Sequence, residues 1–191
     1  MVLTLRSTAA VVDEVVALLA AVPVPPAGPT VVAIDGRSGS GKTDLAAALA
    51  ARTGASVVHM DDLYPGWDGL AAGVELLGGV LAGLRSGAPT TRPVWDWTRQ
   101  RYTREVPLPT HGVLVVEGVG AGCAGAVDLL VELVAGPALR RDRALARDGA
   151  TFAPHWESWA AQETELFARE PLRPDVVFTS DTGAGGDPAW R

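Results

Sequence analysis

The stretch that decides the fold is TVVAIDGRSGSGKT at residues 30–43. Its first five residues are mostly apolar and β-branched, which predicts a short buried strand over 30–34. The glycine-rich turn that follows fits the pattern GxxxxGK[ST] and leads into a helix predicted over 42–52. A strand, this turn and a helix in this order form the context that a phosphate-binding loop requires.

The residues of this loop match the chemistry of a bound triphosphate. Glycines let the main chain bend so that its N–H groups surround a phosphate, and the helix N-terminus adds positive potential. Lys42, the only lysine in the chain, can reach the outer phosphates, and the Thr43 hydroxyl can ligate Mg²⁺. A glycine-rich turn with a chance lysine is the much weaker alternative. The residues predicted to hold the nucleotide are Gly36, Ser38, Gly39, Ser40, Gly41, Lys42 and Thr43.

The composition excludes several classes of protein. Hydrophobic residues make up 48% of the 191 positions and charged residues 20%, which excludes a wholly disordered chain. The formal net charge of −6 argues against nucleic acid or an anionic membrane as a partner. The single cysteine, Cys123, excludes an internal disulfide and a zinc site of several cysteines. No targeting segment or bilayer-length apolar run is apparent, so the expected location is the cytoplasm.

Strand and helix patterns alternate along the chain, which predicts parallel βαβ units. The expected strands lie at 30–34, 56–60, 113–116, 129–134 and 176–178. The expected helices lie at 8–22, 42–52 and 70–84, with two more that begin at Pro137 and Pro154. The predicted fold class is α/β, a three-layer P-loop NTPase fold with a five-stranded, mainly parallel sheet, helices on both faces and a helical lid.

The predicted organisation also includes a lid, a tail and an irregular segment. The chain is expected to form a single P-loop domain over 1–191, with a lid at about 137–153 and a loose, glycine-rich tail at 181–191. Residues 89–109 show no clear period and contain several aromatic side chains. An irregular functional segment is therefore expected there, because long structureless stretches in compact domains are often functional.

Carboxylates follow two predicted strands at the edge where open α/β sheets bind ligands. Asp61 and Asp62 follow the second strand, and one of them could accept the proton of a substrate hydroxyl or order the waters of a metal ion. The alternative is that they cap a following turn. Glu117 closes the third strand, where an acid can hold Mg²⁺ directly or through water.

Arginines are spaced to share one face of the helix that begins at Pro137. Arg140, Arg143 and Arg147 follow one another at three and four residues. On a closing lid these guanidinium groups would stabilise charge on a transferring phosphoryl group. A solvated face paired with Asp142 and Asp148 is an equally good interpretation.

A phosphate loop alone does not decide the fate of the γ-phosphate, because switch proteins, small-molecule kinases and motors share it. A GTPase switch usually reads guanine with an Asn/Thr-Lys-x-Asp element, which needs a second lysine. The chain has none, and this favours ATP over GTP.

Several segments in a fixed order resemble the uridine kinase branch of the P-loop kinases, which includes phosphoribulokinase and bacterial pantothenate kinase. The resemblance extends over residues 31–178, and outside the phosphate loop only the combination of segments is specific. The segments are GRSGSGKT at 36–43, MDDLY at 60–64, RPVWDW at 92–97, VLVVEG at 113–118, LRRDRALARDG at 139–149 and PDVVF at 174–178.

This resemblance implies a role for each matched residue. Asp61 corresponds to the catalytic base and Glu117 to the acid linked to Mg²⁺. Lys42, Arg143 and Arg147 would act on the transferring phosphate, and the implied cofactors are ATP and Mg²⁺. The implied acceptor contacts are Asp62, Tyr64, Asp68, Trp95, Asp96 and Arg101.

The departures from the family pattern lie in the acceptor site. Trp95 stands where the family has tyrosine, and RQR at 99–101 replaces its His-Ser-Arg. A nucleoside is the first expectation for the acceptor. A pantothenate- or sugar-phosphate-like hydroxyl metabolite is the alternative, and a non-kinase ATP-binding regulatory NTPase is the third hypothesis. The expected partners are ATP and a small acceptor, with neither nucleic acid nor membrane, and the family suggests a homo-oligomer.

The sequence leaves the role of the tryptophans open and predicts no site role for the histidines. The tryptophans fit core and lid packing as well as surfaces that stack on a base: Trp67, Trp95, Trp97, Trp156 and Trp159. The histidines are interpreted as structural or surface residues: His59, His111 and His155.

Overall fold

A central parallel sheet organises the molecule, whose computed structural model describes residues 2–4 and 7–180. Its six strands are β1 (Val2–Thr4), β2 (Thr30–Asp35), β3 (Ser56–His59), β6 (Val113–Glu117), β7 (Leu129–Ala135) and β8 (Val176–Ser180). They lie in the order β1-β8-β7-β2-β6-β3, and every neighbouring pair is parallel. The predicted α/β class is confirmed, and all five expected strands are present. The edge strand β1 was not expected, because three residues are too few to show a period.

Helices cover both faces of this sheet. They are α1 (Thr8–Ala21), α2 (Lys42–Thr53), α3 (Leu70–Arg85), α4 (Pro137–Phe152) and α5 (Trp156–Arg169). Side chains of a strand alternate between faces, so Val32 and Ile34 of β2 pack with α1 and α2. Val31 and Ala33 pack on the opposite face with α3 and α5. The central strand is therefore buried on both sides, and the fold has three layers.

The local sequence explains where the helices next to the site begin and end. Gly54 adopts a left-handed conformation with φ 71° and ends α2, as expected of a C-terminal glycine. Pro137 opens α4 in its first turn, and Gly149, at φ 51°, interrupts the helix near its end. The helix thus occupies the predicted lid region, and its action as a lid stays a prediction. The predicted tail at 181–191 lies outside the described residues.

The expected irregular segment at 89–109 is wrong. β4 (Thr91–Asp96) and β5 (Arg101–Pro107) form an antiparallel hairpin separate from the main sheet, with a register shift between Val94 and Trp95. Nearly every residue of β5 is exposed, so the strand has no apolar alternation by which the sequence would reveal it.

Within the described part of the chain, none of the helices combines the length and the apolar character needed to cross a membrane.

Candidate active site

A cleft of about 970 Å³ opens at the carboxyl ends of the parallel strands. The glycine-rich loop after β2 forms one side of it, and α4 covers the cleft from above with Arg143 and Arg147. Gly39 and Gly41 have φ values of 78° and 98°, in the left-handed region that glycine tolerates best. The predicted phosphate loop thus bends around one end of the cleft, as such loops do before a helix N-terminus.

Lys42 lies under this loop. Its side chain is buried, and its Nζ donates a hydrogen bond to the Arg37 carbonyl at 3.1 Å. Burial lowers the pKa of Lys42, while the nearby carboxylates of Glu117 and Asp35 oppose that shift. The ammonium group therefore faces the cleft among negative groups, in position to meet further negative charge.

A hydroxyl and a carboxylate meet beside Lys42. The Thr43 hydroxyl donates to Glu117 Oε1 at 3.2 Å, and the same oxygen contacts His59 Nδ1 at 2.6 Å. The hydrogen bond that the His59 ring donates to Glu117 raises the pKa of His59. His59 is therefore part of the site, although its sequence position indicated only a structural or surface role. The sequence clue to this contact is that His59 ends a strand, and β3 and β6 pair so that His59 lies beside Glu117.

The donor set at this point fits Mg²⁺, which prefers hard oxygen ligands and keeps several waters. Thr43 and Glu117 both line the cleft, so each side chain presents oxygen atoms to it. No group of three or more His, Cys, Asp or Glu residues in the described ranges could hold a metal ion by itself.

Asp61 and Asp62 occupy different environments within one short 3₁₀ turn, Met60–Asp62. Asp61 lines the cleft, where its side chain meets solvent but is surrounded by protein on most sides. This enclosure, followed by the negative charge of Glu117, raises the pKa of Asp61, while Arg147 and Lys42 oppose the shift. Asp62 instead pairs with the buried guanidinium of Arg92 at 2.8 Å. Of the two, Asp61 is the carboxylate that faces the cleft.

The three arginines that were predicted to share one face of α4 have different surroundings. Arg140 is buried and donates to the carbonyls of Ala135 and Ser38 at 3.2 and 3.0 Å. Arg147 pairs with its neighbour Asp148 at 2.7 Å. The terminal nitrogens of Arg143 are shielded from water and have no hydrogen-bond partner among the described residues. An unpaired guanidinium in the wall of a cleft fits an anionic or aromatic group of a ligand.

Aromatic side chains form the wall at the other end of the cleft. Trp67 stacks on Phe152 with a centroid separation of 5.4 Å and lies 4.8 Å from Trp97. Gln162 of α5 fixes this wall by donating to the Trp67 carbonyl at 2.8 Å. We call the lining aromatics the aromatic wall: Tyr64, Trp67, Trp97, Phe152 and Trp159.

Most predicted acceptor contacts lie away from this wall. The Asp96 carboxylate accepts from the Thr98 and Arg99 amides and pairs with the Arg99 guanidinium, so it stabilises the hairpin turn. Trp95 packs edge-on against Tyr102 within the hairpin. Tyr64 does line the cleft, but its hydroxyl donates to the Val119 carbonyl at 2.8 Å. Five of the six predicted contacts lie outside the cleft lining: Asp62, Asp68, Trp95, Asp96 and Arg101.

Asp35, a residue that the sequence did not single out, joins the phosphate loop to the loop after β6. Its fully buried carboxylate accepts the N–H groups of Gly36, Gly120 and Gly122 at 2.6, 3.0 and 2.8 Å. Burial raises its pKa from 3.8 to about 6, against the opposing effect of these hydrogen bonds and Lys42. The sequence clue to its role in the site is that Asp35 is the last residue of the central strand β2.

The raised pKa of Asp35 predicts a pH-dependent stability. Folding favours the protonated form of the Asp35 carboxyl. The contribution of this group to the free energy of unfolding is therefore complete below pH 3.8 and is lost as the pH rises through about 6. The loss amounts to about 3 kcal/mol in the free energy of unfolding. Asp35→Asn stays neutral, so its stability should not show this fall when urea unfolding is measured from pH 4 to 7 without nucleotide.

The exposed Asp13→Asn variant is the control, because Asp13 forms only a surface ion pair with Arg52. Its stability should follow the unmodified chain at each pH. Equal pH slopes for Asp35→Asn and the unmodified chain would show that Asp35 does not titrate in this range.

Solved structures of known proteins share this fold, and two of them match most of the chain. One is described as a possible uridine kinase from Bacillus stearothermophilus: it is 24% identical, with a TM-score of 0.57, over 87% of this chain and 96% of that one. The other, from Silicibacter sp. TM1040, is provisionally named a fructose transport system kinase: it is 23% identical, with a TM-score of 0.62, over 90% and 98%. No protein-family model and no curated protein matches the chain. The structural likeness agrees, at the level of the fold, with the sequence resemblance to the uridine kinase branch of the P-loop kinases.

Proposed function

We propose that this protein is an ATP-dependent kinase that transfers the γ-phosphate to a hydroxyl group of a small molecule, with a nucleoside as the first-choice acceptor. The observation that supports this most strongly is that Asp61 faces the same cleft as the phosphate loop. A carboxylate able to accept a proton and a loop able to hold a triphosphate are the two parts that phosphoryl transfer needs.

The loop end of the cleft suits the triphosphate. Main-chain N–H groups from Gly39 to Thr43 would surround the phosphates, and Lys42 would neutralise their outer oxygens. Thr43 and Glu117 would hold Mg²⁺, which when bound neutralises charge on the phosphates. Arg143 has unpaired donors to offer to the nucleotide. Such a site works by positioning and electrostatics more than by covalent chemistry.

Asp61 is placed to act as the proton acceptor. Its raised pKa makes the ionised carboxylate a better base than an ordinary aspartate. It would therefore orient the acceptor hydroxyl and take up its proton as the bond to phosphorus forms. His59 orients Glu117 rather than the acceptor, since its contact is with Glu117 Oε1.

The acceptor end favours a neutral molecule with a flat or apolar face. The aromatic wall supplies stacking surfaces there. The cationic residues among the described lining are Lys42, Arg143 and Arg147, and each belongs to the phosphate loop helix or to α4. An acceptor with its own phosphate or carboxylate would thus lack a cation of its own. This supports a nucleoside over a pantothenate-like or sugar-phosphate-like acceptor.

A neutral sugar is the second candidate. The neighbour provisionally named a fructose transport system kinase shares the fold, and sugar rings also stack on tryptophan faces. The aromatic wall accommodates either class by its chemistry.

The test is acceptor-dependent ADP release. We expect nucleosides such as uridine and cytidine to raise ADP release from Mg–ATP at least about tenfold over the rate without acceptor. Neutral sugars such as fructose are tested as the second candidate class of acceptor. Pantothenate and fructose 6-phosphate are the matched anionic controls and should not stimulate release. ADP release that no acceptor changes would contradict the kinase and favour a regulatory NTPase. ADP release stimulated by the anionic compounds alone would contradict the proposal that the acceptor is neutral.

A further inference from the structure

The peptide group between Arg37 and Ser38 is held at both ends. Its carbonyl accepts from Lys42 Nζ at 3.1 Å, and its N–H donates to Glu163 Oε1 at 2.8 Å. The next carbonyl along, that of Ser38, accepts from Arg140 at 3.0 Å. Side chains from α2, α5 and α4 thus fix the first turn of the phosphate loop.

Glu163 is unusual among these contacts because it is a carboxylate beside a predicted phosphate site. It is 1% exposed, so its burial requires partners. It has the Ser38 N–H and, at 3.5 Å, the Arg37 guanidinium, which also donates to Thr164 at 3.0 Å. The positive charge of Arg37 and Arg140 balances the carboxylate, so Glu163 can lie near bound phosphates.

The direction of the Ser38 N–H shows what this carboxylate does. The N–H is directed at Glu163 on α5, so it is not offered to a phosphate, although Ser38 was predicted as a nucleotide contact. The same peptide presents its carbonyl to Lys42. If the peptide turned, both the loop and the resting place of the Lys42 ammonium would change, because the two bonds share one rigid plane.

We infer that Glu163 is a positioning residue that fixes the Arg37–Ser38 peptide and, through it, the phosphate loop and Lys42 in the nucleotide-binding arrangement. This inference rests on the proposed use of the loop for ATP. Glu163 does not touch the reacting groups. Its effect reaches the nucleotide through the main chain of the loop, from a helix more than 100 residues further along the chain.

The test measures binding of Mg–AMP-PNP by isothermal titration calorimetry in the absence of acceptor. Glu163→Ala should raise the Kd about tenfold or more, since one hydrogen bond to a buried charge is lost and the peptide is freed. Glu163→Gln keeps an oxygen that accepts from the Ser38 N–H, so it should bind within about threefold of the unmodified chain. Glu165→Ala, on an exposed side chain of the same helix, is the matched control and should bind normally.

The outcomes separate this inference from the proposed function. An unmodified chain that binds no Mg–AMP-PNP would overturn the proposed function and this inference with it. Normal nucleotide binding by the unmodified chain and by Glu163→Ala would overturn the inference alone. So would binding by Glu163→Gln as weak as that of a folded Glu163→Ala, because the hydrogen-bond acceptor would then not be what matters. Thermal melting of each variant confirms that the chain tested is folded.

Discussion

Lys42→Ala should lower acceptor-dependent turnover about a hundred- to a thousandfold, the usual loss when one preorganised donor to developing charge is removed. The ammonium group faces Glu117, Asp35 and Asp61 from beneath the phosphate loop, and no other lysine exists to replace it. Turnover is measured as ADP formation with the acceptor that stimulates the unmodified chain most. The fold should survive, because burial already disfavours the charged form of this side chain.

Two variants control this experiment. Lys42→Met retains most of the volume of the buried side chain without its charge, and it should lose as much activity as Lys42→Ala. Arg52→Ala removes an exposed cation from the same helix and should leave turnover unchanged. Near-normal turnover by a folded Lys42→Ala would remove the loop from the catalytic mechanism.

Asp61→Asn should lower turnover about a hundred- to ten-thousandfold, the range expected for loss of a general base. Asparagine fits the same space, but its amide cannot accept the proton of the acceptor hydroxyl. Binding of Mg–AMP-PNP should persist, because Asp61 belongs to the turn after β3 and not to the phosphate loop. Steady-state turnover and calorimetric titration together separate loss of chemistry from loss of binding.

Asp62→Asn is the matched control from the neighbouring position. It weakens the ion pair with buried Arg92, so a lower melting temperature is expected with the chemical step retained. If Asp62→Asn abolished transfer while Asp61→Asn stayed active, the base would be Asp62.

The sequence predicts best those parts of the site that are contiguous in the chain. The phosphate loop needs glycines, a lysine and a hydroxyl at fixed spacing between a strand and a helix, so residues 36–43 were sufficient to predict it. Glu117 and Asp61 were found because parallel strands bring their carboxyl ends to one edge. The same rule placed Asp35 and His59 at that edge, but their partners were needed to give them roles.

The parts that were missed depend on contacts between distant segments. Glu163 meets Ser38 across 125 residues, and Asp35 meets Gly120 across 85. No local pattern encodes such pairs. The aromatic wall combines residues from four places in the fold: the segment after β3, the β4–β5 hairpin, α4 and α5. The hairpin that holds Trp95 directs that side chain toward Tyr102. Apart from Tyr64, the acceptor contacts predicted by family resemblance therefore differ from the residues that line the cleft.

A crystal structure of the chain with Mg–AMP-PNP tests most directly whether this cleft is a nucleotide site. We predict the triphosphate within hydrogen-bonding distance of the main-chain N–H groups from Gly39 to Thr43, with Lys42 on its outer oxygens and Asp61 facing the γ-phosphate. A nucleotide bound elsewhere, with the loop at 36–43 empty, would contradict the kinase proposal.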